Sequence, residues 1–215
     1  ISEIEDGGGG IIPYEYKENN FVNALQWSIG LELFLQINDP WRVFLTTDHP
    51  NGAPFTSYPE LIRLLMDLSY RNAELEKINI KAKELSYLKS LKRTYSFYEI
   101  AIMTRAAPAK ILGFKDRGSL KNGSIADISI YNPNKPIDKM FRGAEYVFKN
   151  GVQIVRNGFV TRHFKTRTEC VKLNYDKKIH KEIKDWFDAY YSLNLREFEI
   201  DEKFFSDENF HTMNQ

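Results

Sequence analysis

The chain has 215 residues, 42% hydrophobic and 27% charged, enough material for one large core or two small ones in an ordinary globular protein. Thirty basic against 29 acidic side chains leave a net charge of +1, which gives no support for a nucleic-acid or polyanion partner. No apolar run approaches the roughly 18 residues that span a bilayer, so no membrane partner is expected.

The N-terminal Ile-Ser-Glu-Ile-Glu-Asp has no basic region followed by an apolar stretch, unlike a secretory leader. Without an initiating Met, the chain is expected to begin inside a longer one. Gly7–Gly10 lead into the extended Ile11-Ile12-Pro13-Tyr14 rather than into a helix, so they read as a loop or connector instead of a phosphate cradle. From Asn20 to Ile37 the pattern is helical, with Phe21, Leu25, Ile29 and Leu33 four apart, and Asp39-Pro40 stops it. Residues 41–47 are apolar on both faces and predict a strand buried on both sides, as in a parallel sheet or barrel. It ends in the polar turn Asp48-His49-Pro50-Asn51-Gly52.

A second helix is predicted from Tyr58-Pro59 through Leu61, Ile62, Leu65 and Met66. Residues 71–95 are charged and predicted helical on a thin stripe of Leu75, Ile78, Leu85, Leu88 and Leu91. Ser96 and Glu99 have the spacing of a capping box for a helix running to Arg105. Pro108 opens a short helix that Gly113 ends. Beyond Gly113 the period becomes two: a strand over residues 125–131, then a meander over 144–163 turning at Asn150-Gly151 and Asn157-Gly158, the strongest short hairpin signal. Residues 176–195 predict a charged helix with Ile179, Ile183, Trp186, Phe187 and Tyr190 on one face, and 211–215 a frayed end. Cys170, the single cysteine, excludes an internal disulfide, suits a reducing cytoplasm and reads as a small hydrophobe.

Three motifs in this order carry a resemblance. Asp39 to Gly52, with its Thr46-Thr47-Asp48-His49-Pro50-Asn51-Gly52 ending, resembles the last barrel strand and loop of the A subunits of formylmethanofuran dehydrogenases. Tyr98 to Gly113, with Thr104 and Pro108-Ala109-Lys110, resembles their closing helices and, more loosely, those of the wider amidohydrolase superfamily. Gly118 to Ile128 is similar to the superfamily's return into its small β-sandwich. Asn23 to Leu33 and Ala189 to Ser192 extend the similarity toward both ends.

The resemblance implies an α/β fold: the C-terminal part of a (β/α)8 metal-dependent amidohydrolase barrel (1–113), a β-sandwich (114–168) and a C-terminal helical tail (169–215). It implies a cytoplasmic subunit that joins formate to the amine of methanofuran, or hydrolyses the product, in the first step of methanogenesis from carbon dioxide. A binuclear zinc site belongs to the complete subunit, and a molybdenum or tungsten pterin with iron–sulfur clusters to partner subunits. The implied partners are the missing N-terminal barrel half, the other subunits, methanofuran and formate. Two other readings stay open: a related hydrolase, such as the A subunit of a bacterial formyltransferase/hydrolase complex or a dihydroorotase-like enzyme, and a non-catalytic fragment or split-gene half that scaffolds.

Asp48, at the end of the predicted strand, is the candidate catalytic residue. On residue chemistry alone it either caps the turn or works as a proton-accepting carboxylate; the resemblance implies a metal ligand and proton shuttle. His49 either touches substrate, directly or from a second layer, or is a hydrogen-bonded loop histidine, and Asn51 and Gly52 either shape the substrate mouth or only turn the chain. His163, His180 and His211 read as surface or packing residues. No His-x-His pair occurs, and one carboxylate cannot replace the roughly three protein ligands of a catalytic zinc, so the chain alone is expected to be inactive.

Overall fold

Asn20 starts the first helix, α1 (Phe21–Gln36), by accepting a hydrogen bond from the Asn23 amide at 3.1 Å. In the computed structural model, which describes residues 15–49, 51–163, 168–172, 174–198 and 210–214, the buried face of α1 is Ala24, Ser28, Leu31 and Leu35. The predicted stripe lies elsewhere: Phe21, Ile29 and Leu33 are exposed. α1 is apolar almost all round, so a spacing of four finds a stripe on either face. The buried side is set by small residues. Ala24 and Ser28 are fully covered, as is Ala82 on α4 (Ile80–Leu85), the helix against which α1 packs. Gly7–Gly10 lie outside the described residues.

The strand predicted at 41–47 does not form. Asp39 accepts from the Trp41 amide at 3.0 Å and pairs with Arg42 at 3.3 Å, turning Pro40–Arg42 into one turn of 3-10 helix. From Val43 the backbone is extended, with Val43 and Thr47 buried, but no ladder partner lies beside it among the described residues. A strand is a property of a pair of segments, and an apolar extended run is only half of one.

α2 (Tyr58–Met66) forms as predicted, with Pro59 in its first turn and Ile62, Leu64 and Leu65 buried. The single helix predicted over 71–95 is broken. Asp67 caps α3 (Leu68–Leu75), and Asn79 then accepts from the Lys81 and Ala82 amides to start α4. Such a side chain offers the backbone an alternative to continuing a helix. A 3-10 turn, Leu88–Ser90, and an extended segment follow.

Two arginines tie this segment down. Arg71, fully buried, donates to the carbonyls of Leu64, Leu91 and Arg93 at 3.0, 3.0 and 2.9 Å. Arg93 donates to Phe34, Leu35 and Ile37 at the C-terminal end of α1, at 3.1, 3.3 and 3.1 Å, and to Glu99 at 2.7 Å. A cation on the last carbonyls of a helix satisfies groups that have no intrahelical partner. The core of Leu31, Leu35, Leu65, Leu75, Leu88, Ile100 and Met103 lies between these ties.

The Ser96–Glu99 capping box is present and opens α5 (Phe97–Ala101). Instead of ending before Pro108, the helix widens into a π turn, Ile102–Ala106, and continues as α6 (Ala107–Ile111). Pro108 has no amide for the Thr104 carbonyl, which accepts from Arg105 Nη1 at 2.9 Å instead. Gly113, at φ +82, closes α6: its amide donates to Lys110, and that of Phe114 to Ala109.

The predicted meander is an antiparallel sheet in the order β1 (Ile128–Ile130), β2 (Tyr146–Lys149), β3 (Val152–Arg156), β4 (Phe159–Val160). Asn150-Gly151 and Asn157-Gly158 turn it, with φ of 50 and 77, then 51 and 81, the mirror-image turn that matches strand twist. Between β1 and β2 lies α7 (Ile137–Phe141), which the sequence reading does not contain. It packs on α2, buries Met140 and is pinned by Arg63–Asp138 at 3.4 Å. Both sides of Gly113 lie within one compact unit, Ile12–Phe164. Its sheet is a single layer, with neither a parallel ladder nor a second sheet among the described residues of that unit.

In a second unit, β5 (Thr168–Lys172) pairs in parallel with β6 (Phe210–Asn214), so the end predicted to fray is a strand through Asn214. The tail helix, α8 (Ile179–Tyr190), is shorter than predicted, and Ile179, Ile183, Trp186 and Tyr190 on its apolar face are exposed. The Cys170 and His211 side chains lie outside the described residues. Among the described residues no helix is long and apolar enough to cross a membrane.

Candidate active site

The turn after the extended segment is built from backbone outward. Val43 and Thr47 anchor the segment in the core, and Lys110 of α6 lies over the Trp41 ring at 5.3 Å from its centroid. The closing helices thus grip the start of the segment whose end carries Asp48. Two hydrogen bonds close the neck of the turn: the Ala53 amide donates to the Thr47 carbonyl at 2.7 Å, and the Gly52 amide to the Asp48 carbonyl at 2.8 Å.

At the tip, Asp48 has φ +49, a left-handed backbone that a non-glycine residue seldom adopts. Its amide donates to Thr46 Oγ1 at 3.3 Å, and the residue is exposed. Thr47 is only 5% exposed, and among the described residues its buried Oγ1 has no hydrogen-bond partner. A buried hydroxyl left without a partner costs stability. The His49 ring stacks on Phe55 at 4.1 Å, and Phe55 on Tyr58 at 6.5 Å, so the far side of the turn leans on an aromatic pile.

Asp48, His49 and Asn51 therefore share one turn, with the first two residues turned to different surroundings: solvent for Asp48, the Phe55 ring for His49. His163 lies just beyond β4, and His180 contacts the Tyr175 hydroxyl in the second unit. Sequence reasoning passed over Thr47, Phe55 and the steric role of Gly52. The Thr46-Thr47 pair before the turn was visible, but nothing in residue type distinguishes the buried threonine from the exposed one. A single carboxylate is what this turn offers a cation. Among the described residues no group of three or more His, Cys, Asp or Glu side chains is placed to hold a metal ion, so the paired zinc implied by the resemblance does not fit here alone.

Comparison with known proteins places this turn in a family context. Residues 4–155 match the profile of the amidohydrolase family. The chain is 40% identical over 200 residues to the A subunit of the formyltransferase/hydrolase complex Fhc of Methylorubrum extorquens, a match covering 93% of this chain and 36% of that protein. It is 38% identical over 214 residues to protein FwdA of Methanocaldococcus jannaschii, covering 94% of this chain and 37% of that one. Among solved structures, the formyltransferase/hydrolase complex FhcABCD of Methylorubrum extorquens bound to methylofuran superimposes with a TM-score of 0.78 at 37% identity, over 94% of this chain and 37% of the matched one. The chain thus spans little more than a third of the length of these relatives.

Proposed function

Because the chain belongs to the amidohydrolase family, we propose that it is part of the A subunit of a formyl-handling complex, making or hydrolysing the formamide of a furan-type primary amine such as methanofuran. The observation that supports this reading most directly is Asp48 itself: an exposed aspartate with a left-handed backbone, at the end of an extended segment anchored by the buried Val43 and Thr47. Barrel enzymes keep their chemistry at such ends. In this role the Asp48 carboxylate accepts the proton released when water adds to the formyl carbonyl and delivers it to the nitrogen as the C–N bond breaks. In the synthetic direction the transfers run in reverse. His49 and Asn51, on the same turn, contact the substrate at its mouth.

The paired zinc of the reading takes its remaining ligands from outside the described residues, and a molybdenum or tungsten pterin and iron–sulfur clusters belong to partner subunits. On its own the chain turns over no formamide, and metal analysis finds less than one tightly bound zinc per chain; about two per chain would contradict this. The second reading, a hydrolytic complex without redox subunits, is favoured by the likeness to the methylofuran-bound complex. Molybdenum or tungsten in the purified complex decides between the two. The test of the catalytic role is Asp48→Asn in the complete subunit within its complex. Asparagine also tolerates a left-handed backbone, so folding and assembly persist while turnover falls about 10²–10⁴-fold. Near-normal turnover would overturn the assignment.

A further inference from the structure

Gly52 crosses beneath Asp48 more closely than any side chain allows. A Cβ built on it would lie 2.6 Å from the Thr47 carbonyl oxygen and 3.0 Å from Asp48 Cβ. The first contact is far inside van der Waals distance, and its partner is backbone that is already hydrogen-bonded to the Ala53 amide at 2.7 Å. Neither side can swing away as the end of a flexible side chain would. Gly52 itself has no left-handed φ, so its dihedrals do not demand glycine. Space does. In the hairpin glycines the situation is reversed: Gly151 and Gly158 have positive φ, and an added Cβ would meet nothing within 4 Å.

We infer that Gly52 is a positioning residue for the reaction proposed above: its missing side chain lets the neck of the turn close, and that closure aims the Asp48 carboxylate. The inference rests on the catalytic reading of Asp48. An added methyl at position 52 pushes the Thr47 carbonyl and the Asp48 Cβ away together, which displaces the carboxylate without altering its chemistry. Displacement of a reacting group by about 1 Å can cost on the order of 10²-fold in rate.

The experiment uses the complete subunit in its complex, with formylmethanofuran hydrolysis as the assay. Four forms are compared with the parent: Gly52→Ala, Asp48→Asn, the double variant, and Gly30→Ala as a control in which the new Cβ meets nothing within 4 Å. Gly52→Ala is expected to lower kcat by about 10-fold or more while KM moves by less than about threefold. In the Asp48→Asn background the same substitution is expected to cost nothing further, because there is no longer a carboxylate to aim. Gly30→Ala keeps parental kcat. Parental kcat in Gly52→Ala overturns the inference, as do losses that multiply in the double variant. Failure of Gly52→Ala to assemble, with Gly30→Ala assembling normally, also overturns it, since Gly52 would then serve folding rather than aim. If Asp48→Asn alone keeps near-normal turnover, the catalytic reading falls first and the inference falls with it; if only Gly52→Ala is silent, the catalytic reading stands.

Discussion

Asp48, Asn150 and Asn157 all carry a left-handed backbone without being glycine, yet they get there by different means. Each asparagine is followed by a glycine with positive φ, and a two-residue mirror-image turn between adjacent strands accounts for both. Asp48 is followed by His49, and its conformation is held from four and five residues downstream, by Gly52 and Ala53. The hairpin turns serve the sheet and are solved by neighbours in sequence. The Asp48 turn presents one exposed carboxylate, beside a buried threonine hydroxyl that has no partner among the described residues.

The contrast predicts opposite responses. Asp48→Asn should give the largest effect, the loss of about 10²–10⁴-fold in turnover already described, with the melting temperature of the complex unmoved. Gly151→Ala should do the reverse: turnover at parental level, but a loss of about 1–2 kcal/mol in stability, because alanine resists φ +77. Thermal or urea unfolding beside the turnover assay reads both. A Gly151→Ala complex that unfolds normally but turns over slowly would break the distinction between the two kinds of turn.

A smaller effect concerns pH. Burial raises the Asp127 carboxyl, but Lys149 at 2.7 Å, the Asn150 amide at 2.9 Å and Arg117 at 3.0 Å outweigh it and hold the group below its ordinary 3.8. A carboxylate depressed in the folded state stabilises it fully above the unfolded value and loses that contribution as pH falls through the folded one. The meander should therefore be insensitive to Asp127→Asn at acid pH below that range and weakened by it at neutral pH. Hydrogen exchange of the β2 and β3 amides at the two pH values is the measurement. Equal protection at both would show that Asp127 is not tying the first hairpin.

What the sequence disclosed was what neighbouring residues decide. The Ser96–Glu99 box, the Gly113 stop and the two Asn-Gly turns are each settled within about five residues and are legible. The buried face of α1 was not, because an all-round apolar helix leaves the choice to whatever packs on it. Residues 41–47 misled for a related reason: their apolar pattern says buried and extended, but only a neighbour can make a strand. Asn79 sits among charged residues with nothing in the pattern to mark it as a cap, and α7 is five residues long, too short to show a helical period. In the turn that carries Asp48, the polar run after an extended segment is legible, and the reach of Gly52 under Asp48 is not, since close approach of two backbones leaves no periodic trace. The glycine itself was in view.

Arg93 carries a consequence for the order in which this chain can take shape. The three carbonyls it gathers at the end of α1 precede it by 56 to 59 residues. Without residue 93 in place, those oxygens lack this donor and are left to water. Closing so long a loop is slower than any local capping event. Once the guanidinium docks, it fastens α1 and the Glu99 of the capping box in one step. One residue that belongs to neither thus ties the beginning of α5 to the end of α1.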